Sequence, residues 1–272
     1  MKSQTIFIFS AFLLMASCEK HDRRDHGHEN STWVEKVVSK GNGPMKEKTV
    51  TGDFDEIEVS QSISAEVIKS DVEKVVISAP QNIIDEVLVD NSGGELHIHY
   101  KQGIRVMNTH NVSAKIYTRD FSKLDANSAA SITVKDKFVQ DKMKVEVSSS
   151  ASVSGDLEAN DFDISVDSSG NFDGKIWAVD LEVDASSAAS IDLSGKAKNA
   201  EVSASSGSSI SAKNMVVQNL KAESSSGASV DLSVSSSVQA EASSGGSLSI
   251  YKKGNVTNIT KEESSGGSVS IQ

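Results

Sequence analysis

The sequence is short of cysteine, proline, aromatic side chains and positive charge, and each shortage closes a route. A single cysteine, Cys18, excludes an intramolecular disulfide and any metal site built on several thiolates. Pro44 and Pro80 are the only prolines, so nothing after residue 80 interrupts a hydrogen-bond ladder with a missing N–H. Hydrophobic residues make up 37% of the chain and aromatics 5%, little for a thick globular core but enough for narrow coils lined by Val, Ile, Leu and Ala. The formal charge of -11 disfavours nucleic acid as a partner, since phosphate binding needs a basic face. No cofactor motif is found.

The N-terminus has the form of an exported leader. Lys2 gives a positive start and Ile6 to Leu14 an apolar run too short to span a bilayer. Met15-Ala16-Ser17-Cys18 then closes it in the manner of a bacterial lipobox. On this reading residues 1–18 are a lipoprotein signal and Cys18 is lipidated, which gives the chain a membrane partner through its anchor. The alternative is an ordinary signal cleaved after Ala16 or Ser17 that leaves a free thiol. Residues 19–47 read as a polar, mixed-charge tether. His21, His26 and His28 lie there among Asp22, Asp25 and Glu29, and this spacing without a scaffold reads as solvated linker rather than a metal site.

What the chain has in abundance is repetition. Leu181 to Ile191, Ala200 to Ile210, Leu220 to Val230 and Val238 to Leu248 superpose without gaps. A closing apolar residue recurs at Ile132, Val153, Phe172, Ile191, Ile210, Val230, Leu248 and Val269, in steps of 18 to 21 residues. A period near 20 belongs to a solenoid in which each repeat is one rung. With Leu181 as position 1, positions 1, 3 and 5 are mostly apolar or small, which is strand alternation. Positions 6 to 10 are small, and positions 11 and 13 are apolar again. Each rung is therefore strand, tight corner, short strand and connector. Helix is excluded by the spacing of two and by the Ser and Gly content. Residues 122–272 hold eight such rungs. Residues 48–121 lack the clean repeat and read as three or four irregular coils capping the stack, with a tight turn at Asn91-Ser92-Gly93-Gly94 and β structure favoured over a helical turn at Ile83 to Leu88.

Two columns stand out. Position 7 is Ser in every unit, from Ser128 to Ser265; small hydroxyls fit a crowded corner and can bond backbone or the next rung's Ser, and no His follows His110 to make one of them a nucleophile. Position 4 carries Asp125, Glu146, Asp184, Glu223, Glu241 and Glu262, interrupted by Ser165 and Ser203. Stacked carboxylates repel, so this column is a weak candidate for Ca²⁺ or for a basic partner, against the plainer reading of a solvated acidic strip that keeps the rod soluble.

With Gly52-Asp53-Phe54-Asp55-Glu56-Ile57-Glu58-Val59 opening the domain, Leu96-His97-Ile98 before its middle and the Ser/Gly/Ala rungs from Leu124 onward, residues 48–272 resemble the bacterial auto-transporter adhesin, head GIN domain family. The resemblance implies an all-β chain wound as a single-stranded right-handed parallel β-helix, and it carries no catalytic or binding residues to transfer. The expected role is a non-catalytic cell-envelope lipoprotein, anchored in the outer membrane at its surface or periplasmic face and meeting a protein or glycan ligand. The alternative is a polysaccharide-binding or polysaccharide-degrading β-helix, disfavoured because arginine is confined to Arg23, Arg24, Arg105 and Arg119 and the connectors are short. Homo-oligomerisation through a flank or an end is a third reading.

Overall fold

The computed structural model describes residues 36–38, 41, 43–106 and 111–272. The signal, Cys18 and the histidines at 21, 26 and 28 lie outside them. Two inward columns define the architecture. In stacking order one runs Leu96, Ile57, Leu124, Val145, Ile164, Val183, Val202, Ala222, Ala240, Lys261. The other runs Ala114, Ala65, Ile132, Val153, Phe172, Ile191, Ile210, Val230, Leu248, Val269. All these pairings are parallel, so the chain is a parallel β-solenoid, and ten rungs at about 4.8 Å make a stack of about 48 Å. The eight anchors read from the sequence face one another in the expected register, and all are buried.

The stack departs from sequence order at its start. The rung built from Glu95–Tyr100 and Ser113–Thr118 lies outside the one built from Glu56–Val59 and Ser64–Lys69, which stacks directly on Lys123–Ala126 and Ser131–Val134. The chain thus forms its second rung, doubles back over the end, lays down the first rung and then steps across to the third. The returning segment caps the core with antiparallel strands. Lys74–Pro80 pairs with Ser113–Thr118 and with Met45–Thr51, and Val87–Ser92 pairs with Glu95–Tyr100 through Gly93-Gly94, both at positive φ. Only two rungs precede Lys123, rather than the three or four coils expected, because 70–92 is spent on this lid. Its interior is held by Glu73, whose buried carboxylate accepts the Phe54 N–H at 3.1 Å and pairs with Arg119 Nε at 3.1 Å. Residues Ile84–Glu86 form a 3-10 turn where β structure was favoured, and the strand begins at Val87. Within the span read as tether, Lys36–Val38 pairs with Ile104–Val106 and Met45–Thr51 joins the lid.

At the other end the rung itself closes the core. In Asn258–Glu263 every residue is exposed, and the inward sites filled by Ala in the preceding rung are Lys261 and Glu263, paired at 3.0 Å. Glu263 also accepts the Val269 N–H at 2.6 Å, and these bonds hold its carboxyl below the usual carboxylate range. Charges pointing inward on an edge strand make the addition of a further strand costly.

The corner explains the serine column differently from the expectation. Positions 7 and 8 are both left-handed, with φ of 51° at Ser187 and 62° at Ala188, and the same pair recurs in each repeat unit with Ser, Ala or Gly at position 8. The turn closes by an i→i+3 bond such as Ala189 N–H to Ser186 O (3.0 Å), and the rung is tied to the next by Ala188 N–H to Ser206 O (3.1 Å). The position-7 side chains point to solvent, so residue size and backbone shape fix this column rather than its hydroxyls. A hydroxyl ladder occurs instead at position 10, where Ser131 meets Ser64 at 3.1 Å and Ser229 meets Ser209 at 3.3 Å. Gly195 turns the second corner at φ +116°, where a Cβ would stand 2.0 Å from the Ile176 carbonyl oxygen.

Gly195→Ala is therefore expected to cost about 2–5 kcal/mol, the sum of a left-handed penalty and overpacking against backbone. Ser187→Val costs about 1–2 kcal/mol, whereas Ser187→Gly is neutral or slightly stabilising. Urea unfolding of the three variants checks the order; equal midpoints for Ser187→Val and Ser187→Gly would refute the left-handed account of the serine column.

Candidate interaction surfaces

Strand alternation gives each rung outward columns as regular as its inward ones. The breaks in alternation, where two successive residues face out, bend the long strands and divide the outward columns among three sides.

The first side carries position 4. The structure stacks His97, Glu58, Asp125, Glu146, Ser165, Asp184, Ser203, Glu223, Glu241 and Glu262 in one column, so the six acidic candidates do share a line. They do not converge: among the described residues no three His, Cys, Asp or Glu side chains form a group that could hold a metal ion. Lysines from position 2 neutralise the column at two places. Lys123 reaches Glu146 at 2.7 Å and Asp125 at 3.7 Å, Lys144 reaches Glu146 at 2.9 Å, and Lys221 joins Glu201 (2.5 Å) to Glu223 (3.1 Å). Between them Asp163, Glu182, Asp184 and Glu201 crowd together. Burial and then these neighbouring charges push the Glu182 and Asp184 carboxyls up, while the bonds from Lys123 and Lys144 outweigh burial and pull Glu146 down.

Along the corner beside this side runs an open groove of about 630 Å³. Its floor is Leu181, Ala200, Leu220 and Val238, and one wall is a ladder of polar side chains. In that ladder Asn199 donates to Asp180 at 2.7 Å, Asn219 to Asn199 at 2.9 Å, and Ser237 to Asn219 at 2.8 Å. The side chains satisfy one another along the axis, which fixes the wall without a ligand.

One serine does stand beside a histidine, near the lid: Ser60 Oγ is 3.1 Å from His97 Nε2. The acid, Glu58, approaches the same nitrogen at 3.4 Å, whereas a catalytic acid must hold the opposite one. Ser60 is buried, and His97 stacks on His99 at 4.1 Å with its pKa lowered chiefly by burial. The cluster packs the end of the stack and has no nucleophile-activating geometry.

A further side carries a residue that lies outside the repeat pattern. In Asn171–Ala185 the alternation turns Phe172, Ile176 and Ala178 inward and Trp177 outward, 45% exposed. Its column runs Val139, Glu158, Trp177, Lys196, Val216. Strand parity puts this tryptophan outside, but it occurs once, so the periodicity gives no sign of it.

Residues 53–254 match the family model described as "Putative auto-transporter adhesin, head GIN domain". No curated protein matches the chain. Among solved structures, a "putative adhesin" from Parabacteroides merdae ATCC 43184 is 20% identical, with 87% of this chain and 99% of that one covered, at a TM-score of 0.78. A second "putative adhesin", from Parabacteroides distasonis ATCC 8503, is 19% identical, covering 87% and 100%, at 0.76. A "putative lipid binding protein" from the same strain is 19% identical with the same coverage at 0.73. At these identities the likeness concerns the fold.

The two kinds of carboxylate give opposite dependences on pH. Asp184, with its folded pKa raised, destabilises the fold when ionised, and that penalty vanishes as pH falls through the folded value. Glu146, with its folded pKa lowered, contributes stability that is complete above its unfolded value and lost as pH falls through the folded one. Asp184→Asn should therefore raise the melting temperature at pH 7, an effect that fades as pH falls toward about 4, and Glu146→Gln should lower it, an effect that persists down to about pH 4 and fades only below it. Thermal melts of the two variants across that range check it; shifts of the same sign at pH 7 would contradict the assignment.

Proposed function

The chain belongs to the "putative auto-transporter adhesin, head GIN domain" family, and we propose from that premise that it is a non-catalytic cell-envelope lipoprotein whose solenoid makes adhesive contacts. The observation that carries the reading is the surface itself. Ten rungs present exposed side chains in register, and an open groove of about 630 Å³ spans several of them. Such a surface suits a macromolecule that contacts several rungs at once, because weak contacts repeated along a rigid rod add through effective concentration.

Residues 1–18 then act as the signal, Cys18 carries lipid, and residues following it space the solenoid from an outer membrane. The carboxylates of the acidic side are ion-paired or solvated and, in a chain of net charge -11, oppose self-association. Catalysis is not part of this reading, since the Ser60–His97 pair lacks triad geometry and the acidic column is not gathered into a site.

Cells expressing the full chain with its own leader should adhere to an immobilised protein or glycan surface to which cells lacking it do not, and protease treatment of intact cells should release peptides from residues 48–272. Cys18→Ser should leave the chain unanchored and remove adherence. Complete protection of the solenoid in intact cells would overturn the adhesive role in favour of a periplasmic one.

A further inference from the structure

Trp177 contributes little to the core, and what sets it apart from the other exposed apolar side chains is that clefts flank a large aromatic face of the kind that anchors ligands. Clefts lie on both sides of it. One, of about 260 Å³, is lined by Val139, Gln140 and Asn160; the other, of about 440 Å³, by Val179, Lys196, Lys198 and Gln218; Trp177 is the wall they share.

The charges around it are unevenly matched. Glu158 is paired with Lys137, Asp156 lies 3.4 Å from Lys175, and Asp141 accepts the Asn160 amide at 3.0 Å. Lys196 and Lys198 are exposed and form no ion pair among the described residues. They stand two residues apart on one strand, about 7 Å along it, with the indole one rung away from Lys196. The arrangement is thus a flat aromatic face, two spare cations and a fringe of side-chain amides.

We propose that Trp177, Lys196 and Lys198 form a binding site for an acidic polysaccharide strand. This deepens the adhesive reading and rests on it. A sugar ring presents axial C–H groups that fit the negative face of the indole. Uronate carboxylates meet the two ammonium groups, and ring hydroxyls meet the Gln218 and Asn160 amides. An extended peptide is a poorer fit, because the strands here are paired on both sides and offer no edge for strand addition. A lipid surface is also poorer, because membrane binding at this net charge would need a broad basic patch, and the side chains beside Lys196 and Lys198 include the carboxylates of Glu158, Asp156 and Asp141.

The test uses the full chain with Trp33→Phe, which leaves Trp177 as the sole tryptophan. Its fluorescence is followed during titration with polygalacturonate, alginate and hyaluronate, with carboxyl-reduced polygalacturonate and with phosphatidylserine vesicles. The expected result is a saturable change with at least one polyuronate, weakened by added salt and about tenfold or more by the double change Lys196→Ala/Lys198→Ala. Calorimetry should show a similar loss for Trp177→Ala in the native background, and circular dichroism should show that both variants keep the native β signal. The proposal is overturned if none of the three polymers binds, if Trp177→Ala binds unchanged, if the carboxyl-reduced polymer binds equally well, or if the vesicles rather than the polymers give the change. Chain-coated particles that adhere to cells yet bind no polyuronate would sink this ligand assignment alone. Polyuronate binding by a chain that confers no adherence would sink the adhesive reading alone.

Discussion

The ladder of hydrogen bonds between successive rungs is the constraint on which everything else in this protein depends. A rung of about 19 residues buries only a handful of side chains and cannot offset the entropy of its own ordering. It exists because its backbone pairs with the rungs on either side, the differences in rung length being absorbed as register shifts such as those at Asp192/Ser194 and Ala212/Val216. Keeping the strands before and after the serine corner in register demands that this corner be made the same way in every rung. The repeated left-handed pair at positions 7 and 8 meets that demand: it reverses the chain in four residues and places the Ala188 N–H against the Ser206 carbonyl of the next rung. Serine and glycine dominate the corners because a branched side chain would strain the backbone there, and a strained corner would move two interfaces at once.

The same ladder makes the two ends difficult, and they are treated differently. At the start the chain doubles back and covers the first rung with antiparallel strands, burying Ile83 and Val87 over the core and seating Glu73 against Arg119 and the Phe54 amide. At the other end the last described rung gives up the apolar column and carries Lys261 and Glu263 in its place. One end excludes water by a lid, the other by making its inner face compatible with water. Outward columns face a related problem. Unit charges about 4.8 Å apart interact by roughly 1 kcal/mol in water and several times that near a protein surface. Lys123, Lys144 and Lys221 therefore lie beside the carboxylates, and Ser165 and Ser203 interrupt them.

The stacked part of the fold was legible because each inward position is sampled many times. Eight apolar anchors spaced by 18 to 21 residues leave little choice of register, and the pairings from Ile132 to Val269 follow it. The order of the first rungs was not legible. Residues 48–121 hold good strands, but a strand's alternation does not say which neighbour it will join, and the step from Thr118 past the second rung to Lys123 leaves no local mark. Position 7 is the converse case: its serines are plain in the sequence and their small size points to a crowded corner, but the left-handed backbone that selects them carries no residue signature of its own.

Surface function follows a different logic from the core, and the contrast identifies where to look. An outward column that repeats one residue type, or whose side chains bond to one another along the axis, is explained by its own geometry, as in the serines of position 10 or the ladder of Asp180, Asn199, Asn219 and Ser237. The column Val139, Glu158, Trp177, Lys196, Val216 repeats nothing. No stacking rule selects an indole between a carboxylate and an ammonium, and none is satisfied by leaving Lys196 and Lys198 without acidic partners when most lysines on the rungs have them. In a scaffold whose folding is a matter of repetition, residues that break the repeat outward are free of structural duty, and chemistry that has no structural use is where a ligand is to be sought.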